Sequence, residues 1–185
     1  MLMLAGVACF EEGEAAMAAE ARVREEICRI GESLYRRGYT VGTAGNISAR
    51  LDDGFLITPT DACLGFLEAS RLARLDAKGE QVSGDRASKT ILLHRAIYDS
   101  RPDAGGVVHT HSTNLVALTM LSGVDRADVL PPITPYHVMK VGHVPMIPYR
   151  RPGDPEVIDL VLAHAPKVRA VLLERLGPVV WNDSV

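Results

Sequence analysis

Cysteine is scarce in this chain. Its 185 residues hold three, Cys9, Cys28 and Cys63, odd in number, widely spaced and in no CxxC pair. That excludes a disulfide framework and points to reduced thiols in the cytoplasm. Positive charge is short too: 20 Lys and Arg against 23 Asp and Glu leave a net charge of −3. No basic field exists to draw in nucleic acid or anionic lipid, so an anionic ligand must be captured locally. No apolar run approaches the roughly 20 residues of a membrane span. Repeats and low-complexity segments are missing as well. Neither nucleic acid nor a membrane is therefore an expected partner. What remains is an ordinary composition, 47% hydrophobic and 23% charged, in a chain long enough for one domain with its own core.

Met1 to Phe10 is apolar but lacks a basic n-region, and Glu11-Glu12-Gly13-Glu14 follows with no cleavage-like site. Residues 1–20 are expected to be a loose extension and residues 21–185 a single domain. Val23, Ile27, Ile30 and Leu34 recur at helical spacing, which predicts a helix over Ala15–Arg37 with Gly38 as its C-cap. Thr43-Ala44-Gly45-Asn46-Ile47-Ser48 is a small-residue turn entering a strand. Phe55–Thr58 reads as the next strand, and Leu72–Gly84 as a hairpin turning at Lys78-Gly79. Ser88 is placed to N-cap a helix running to Asp99. Asp154 and Pro155 open a later helix, and Val168–Glu174 and Val179–Trp181 are late strands. Hairpins mixed with helices argue for an α/β sandwich rather than a doubly wound sheet.

The chemistry concentrates in Val107-Val108-His109-Thr110-His111-Ser112. In a strand, residues two apart share a face, so His109 and His111 would present two imidazoles side by side. Zinc accepts such nitrogens at about 2 Å. The plain alternative is two histidines hydrogen-bonded at a strand end.

Four segments then carry a resemblance: Gly42-Thr43-Ala44-Gly45-Asn46-Ile47-Ser48, Ile57-Thr58-Pro59-Thr60, Ser88-Lys89 before Leu93-His94, and Val108-His109-Thr110-His111. In order and spacing they resemble the class II aldolase/adducin family from Ala21 to Trp181. Within it, Leu130–Tyr136, Val138–His143 and Pro148–Pro155 resemble the 3-oxo-tetronate 4-phosphate decarboxylases. The resemblance implies a three-layer α/β/α sandwich of the class II aldolase type with a mixed, largely antiparallel central sheet. It implies one divalent metal, zinc first with manganese or iron as alternatives, and a homotetramer with sites between subunits. It implies a small phosphorylated sugar-acid substrate whose phosphate is held by Thr43, Asn46, Thr60, Asp61, Ser88 and Lys89. Chemistry supports that cradle independently: hydroxyls, an amide, a helix N-terminus and one full positive charge converge on an anion. The Asp61 carboxylate repels phosphate, so only its backbone N–H would contribute.

The chain departs from the family pattern twice. Thr90 stands where the family has an acid/base glutamate. Leu176 stands where it has a third metal-binding histidine, in Glu174-Arg175-Leu176-Gly177. If Leu172–Leu176 is a strand, Glu174 shares a face with residue 176 and becomes the third ligand beside His109 and His111. His137 and His143 are competing donors, and the alternative for Glu174 is a salt bridge. Family members also continue into a C-terminal helix, expected to be absent after Val185. Aldol cleavage needs a base, whereas decarboxylation of a 3-oxo acid starts from an ionised carboxylate and needs an electron sink first. Thr90 and Tyr136 are thus the expected catalytic positions of a carboxy-lyase, with Tyr136 or water delivering the later proton. The product would be dihydroxyacetone phosphate. A fuculose-phosphate-type aldolase and a non-catalytic ligand-binding or assembly member are the alternatives.

Overall fold

The computed structural model describes residues 2–185, with side chains from Gly13 onward. Helix α1 spans Leu2–Arg36, so it begins well before the expected Ala15. The run Glu14-Ala15-Ala16-Met17-Ala18-Ala19-Glu20 consists almost wholly of strong helix formers. Residues 13–19, part of the expected loose extension, continue this helix and are exposed. Among the described side chains, packing begins at Glu20, whose carboxylate takes Arg24 at 2.7 Å and Arg74 at 3.1 Å. Gly38 ends the helix as expected, in the left-handed region at φ +73°.

The strands are β1 (Asn46–Leu51), β2 (Gly54–Ile57), β3 (Ala73–Asp76), β4 (Gln81–Ser83), β5 (Gly106–His109), β6 (Met146–Ile147), β7 (Ala170–Leu173) and β8 (Gly177–Asn182). They form one sheet in the order β4-β3-β2-β1-β5-β8-β7-β6. Only β6–β7 pair in parallel, so the sheet is mixed and largely antiparallel, as expected. The hairpin at Lys78-Gly79 joins β3 to β4.

Alternation of side chains sorts the core into two faces. Val107, Val171, Leu173, Val179 and Trp181 pack with Leu93 and Ile97 of α2 (Ile91–Ser100) and Val161 of α5 (Glu156–Leu162). Ile47, Ala49 and Leu56 face the other way, with Ile27 of α1. Ala170 and Leu172 join that side under α3 (Thr113–Leu118) and the segment leading to α4 (Pro135–Lys140). Helices thus cover both faces, which is the three-layer sandwich.

Helix starts differ from the sequence reading by a residue or two. The N-cap of α2 is Thr90, not Ser88, whose hydroxyl instead accepts the Thr90 N–H at 3.4 Å. At α5 the N-cap is Pro155, while the Asp154 carboxylate accepts the Glu156 N–H at 3.1 Å. Two glycines fix the backbone around the histidines. Gly45 has φ +90°, and a Cβ there would lie 2.7 Å from the His109 carbonyl oxygen. Gly177 has φ +119°, and its Cβ would lie 2.2 Å from the Thr110 carbonyl oxygen. Only glycine allows these close approaches.

Candidate active site

Strand β5 ends at His109, so His111 lies beyond it. The shared-face argument therefore does not reach His111, because the chain leaves the sheet to start α3 after Ser112. The two rings still converge, edge to face, with their Nε2 atoms 3.1 Å apart. His109 donates its Nδ1–H to the Pro178 carbonyl at 2.8 Å. That bond fixes its tautomer and leaves Nε2 with its lone pair toward His111. Burial holds His109 down to about 4, against the pull of the Pro178 carbonyl, and burial lowers His111 as well. Both rings are neutral at ordinary pH. Two nitrogens each about 2 Å from one ion, at angles between octahedral and tetrahedral, lie about 2.9–3.4 Å apart. The pair fits a divalent metal.

Glu174 is not brought to this pair. Strand β7 stops at Leu173, and Arg175 turns the chain at φ +62°, so the strand alternation behind the expectation ends three residues short of Leu176. The Glu174 carboxylate instead accepts both Arg126 guanidinium nitrogens, at 3.2 and 2.9 Å, and the Tyr149 N–H at 3.0 Å. Its pKa is lowered, chiefly by Arg126. Leu176 packs on the α2-side core. His143 binds Asp128 at 2.6 Å, and the ring nitrogens of His137 have no hydrogen-bond partner among the described residues. Among the described residues, no group of three or more His, Cys, Asp or Glu is arranged to hold a metal.

The cradle residues gather in part. Asn46 is the cross-strand neighbour of His109. It donates Nδ2–H to the Thr90 hydroxyl at 3.2 Å, and Ser88 donates its hydroxyl to Thr90 at 3.3 Å. The Thr60 loop runs alongside, through Thr60 N–H to Arg86 O and Ser88 N–H to Thr58 O. Thr60 and Asp61 also line an open cleft of about 490 Å³ with Cys63, Phe66, Arg71 and Arg86, and neither histidine of the pair borders it. Asp61 has φ +57°. Lys89 and Thr43 are exposed and make no side-chain hydrogen bond among the described residues. Tyr136 is 71% exposed on α4.

Sequence reading missed a buried set behind the pair. His94 is fully buried, and its Nδ1 lies 2.7 Å from the Ser48 hydroxyl, which also meets the Tyr98 hydroxyl at 2.8 Å. The signal was present as Thr90, His94 and Tyr98 at four-residue steps opposite Asn46 and Ser48 at a two-residue step. Burial, with a smaller push from His109, holds His94 down to about 3. A free imidazole takes its proton near pH 6.5. Between these values the unfolded chain binds the extra proton, so the contribution of His94 is full above pH 6.5 and falls as pH drops toward 3. Between pH 7 and pH 5, chemical unfolding should therefore show wild type losing about 2 kcal/mol more than His94→Gln. An equal loss in the two proteins would contradict a neutral, buried His94.

Residues 25–185 match the Class II Aldolase and Adducin N-terminal domain. The chain is 65% identical over 169 residues to a 3-oxo-tetronate 4-phosphate decarboxylase of Cupriavidus necator, covering 91% of this chain and 78% of that one. The crystal structure of YgbL from Escherichia coli superposes with a TM-score of 0.86 at 45% identity, covering 90% of this chain and 81% of that one. L-fuculose-1-phosphate aldolase from Thermus thermophilus is more distant, with a TM-score of 0.76 at 27% identity over 89% and 81% of the two chains.

Proposed function

The chain belongs to the class II aldolase and adducin family, and from that premise we propose that it is a metal-dependent carboxy-lyase converting a 3-oxo-tetronate 4-phosphate to dihydroxyacetone phosphate. The carrying observation is the 3.1 Å approach of two neutral imidazole nitrogens beside the Asn46–Thr90–Ser88 cluster. His109 and His111 would hold the metal. When bound, a divalent ion supplies stabilisation of the negative charge that develops on a ketone oxygen.

The chain's own residues do the rest. Ser88, Thr43, Asn46 and Thr60 offer neutral donors to the phosphate, Asp61 its backbone N–H, and Lys89 the full positive charge. The substrate carboxylate is already ionised, so carbon dioxide leaves without a base. The electron pair it leaves behind delocalises toward the ketone. The carbon then takes a proton from water or from Tyr136, delivered by the exposed α4. Thr90 moves no proton and holds the Asn46 amide. Relatives named as decarboxylases, at 65% and 46% identity, support decarboxylation over aldol cleavage.

Within the same proposal the metal is zinc, which a pair of imidazoles suits. The active form is a homotetramer, which the exposed Ile133, Tyr136, Val138 and Met139 around α4 would help to assemble. The compartment is the cytoplasm, consistent with free thiols at Cys28 and Cys63. No described helix is long and apolar enough to cross a membrane. Residues 21–185 form the catalytic domain, with residues 1–20 appended. Glu174 remains the proposed third ligand only if Arg126 releases it on metal binding. A second reading, a non-catalytic member, draws on that same Arg126–Glu174 pair. Metal content of the purified protein separates the two.

The phosphate assignment has its own test. Lys89→Ala should raise KM for the phosphorylated substrate about tenfold or more and weaken inhibition by inorganic phosphate, with little change in kcat. An equal effect on an unphosphorylated analogue would show that Lys89 does not read phosphate.

A further inference from the structure

Thr90, His94 and Tyr98 form one stripe at the start and along the length of α2. Opposite them, Asn46 and Ser48 point to the same face of β1. The result is a buried polar seam between a helix and a sheet that are otherwise joined by apolar contacts. Buried polar groups are stable only when partnered, so the hydrogen bonds can be assigned one by one. The Tyr98 hydroxyl has one side-chain partner, Ser48 Oγ at 2.8 Å, and donates to it. Ser48 then has its own proton left for His94 Nδ1 at 2.7 Å. An imidazole that accepts at Nδ1 carries its proton at Nε2.

That Nε2–H is buried and has no partner among the described residues, and the same holds for the Asn46 Oδ1 acceptor. They are complementary, and they sit on adjacent rungs of the seam, because Asn46 meets Thr90 and His94 follows one helical turn later. One water making two hydrogen bonds of about 2.8 Å joins such a donor to such an acceptor.

We propose that His94 is a positioning residue for Asn46: through one ordered water, its Nε2–H holds Asn46 Oδ1 inward, so that the second amide N–H of Asn46 faces the substrate phosphate. The proposal rests on the phosphate cradle described above. Its physical content is the direction of one amide. With Oδ1 inward, Asn46 spends one N–H on Thr90 and offers the other to an anion. With the amide reversed, a carbonyl oxygen would face the phosphate and repel it. Ser48 and Tyr98 contribute by fixing the tautomer, from the far side of the imidazole.

Two measurements on the full chain test this. Nitrogen NMR of the histidine rings should show His94 protonated at Nε2 and bare at Nδ1; the opposite tautomer overturns the proposal whatever phosphate does. Binding of inorganic phosphate should weaken about tenfold or more in His94→Phe, which has no donor. His94→Gln should restore most of it, because the Gln amide nitrogen reaches the place of Nε2. In an Asn46→Asp background, which has no amide N–H to orient, His94→Phe should add nothing further. A merely structural His94 would lower the melting temperature in both variants and leave phosphate binding of the folded fraction unchanged, and that result overturns the positioning role. Wild-type protein that binds no phosphate would instead sink the cradle, and the phosphate half of this proposal with it. Phosphate binding that is intact in wild type and equal in His94→Phe sinks the role of His94 alone.

Discussion

Replacing His111 with alanine should remove the bound metal and lower carbon dioxide release by at least about a thousandfold. In the histidine pair two neutral nitrogens converge, at 3.1 Å. A divalent ion contributes several kcal/mol of charge stabilisation to such a reaction, and about 4 kcal/mol corresponds to a thousandfold in rate. His111 is the cleaner of the two to change. It is half-buried and lies past the end of β5, so its loss leaves the sheet intact. His109→Ala should have the same effect on metal and rate. It should also cost stability, since His109 is buried and bonded to the Pro178 carbonyl. Elemental analysis beside the rate assay checks both. Unchanged metal content with unchanged rate would place the metal elsewhere.

Gly177→Ala should disrupt both the fold and the histidine pair beside it. The residue has φ +119°, where side chains are strained, and its Cβ would meet the Thr110 carbonyl oxygen at 2.2 Å and His111 Cα at 3.2 Å. Both obstacles are backbone, so no side chain can swing aside. The expected loss is about 2–4 kcal/mol from strain and overpacking, a fall of about 5–15 °C in melting temperature for a chain of this size. Relief of the clash pushes the Thr110–His111 segment outward, so metal affinity should fall along with stability. Gly45→Ala presses the same segment from the other side, against the His109 carbonyl. A Gly177→Ala protein that melts within a degree or two of wild type would show that the strand ends are looser than described.

What could be read from the sequence was what local chemistry controls. Gly38 and Gly79 announced their turns because those turns need positive φ. Val107 and Val108 announced the strand that carries His109, and the two valines pack into different cores on its two faces. His109 and His111 were legible as a pair, although the reason given for it, a continuous strand, holds only as far as His109. Glu174 shows the limit. A period of two was extended past Leu173, but Arg175 turns there, and Arg126, 48 residues away, takes the carboxylate. Nothing local in the sequence encodes that partner. His94 was visible as part of a family segment on a helix, but its buried partners were not. Its role depends on Ser48, 46 residues earlier, and on the pairing of β1 with β5. Tyr136 was chosen for its chemistry, and the fold leaves it exposed on α4.

The account turns on the reaction, and one assay addresses it most directly. Purified full-length protein, supplied in turn with zinc, manganese and iron, would be given a 3-oxo-tetronate 4-phosphate and, separately, fuculose 1-phosphate. Carbon dioxide and aldehyde would be measured in the same samples. The structure predicts metal-dependent carbon dioxide release in step with dihydroxyacetone phosphate formation, and little or no aldehyde, because Thr90 supplies no base for aldol cleavage. Brisk aldehyde release without carbon dioxide would contradict the decarboxylase assignment.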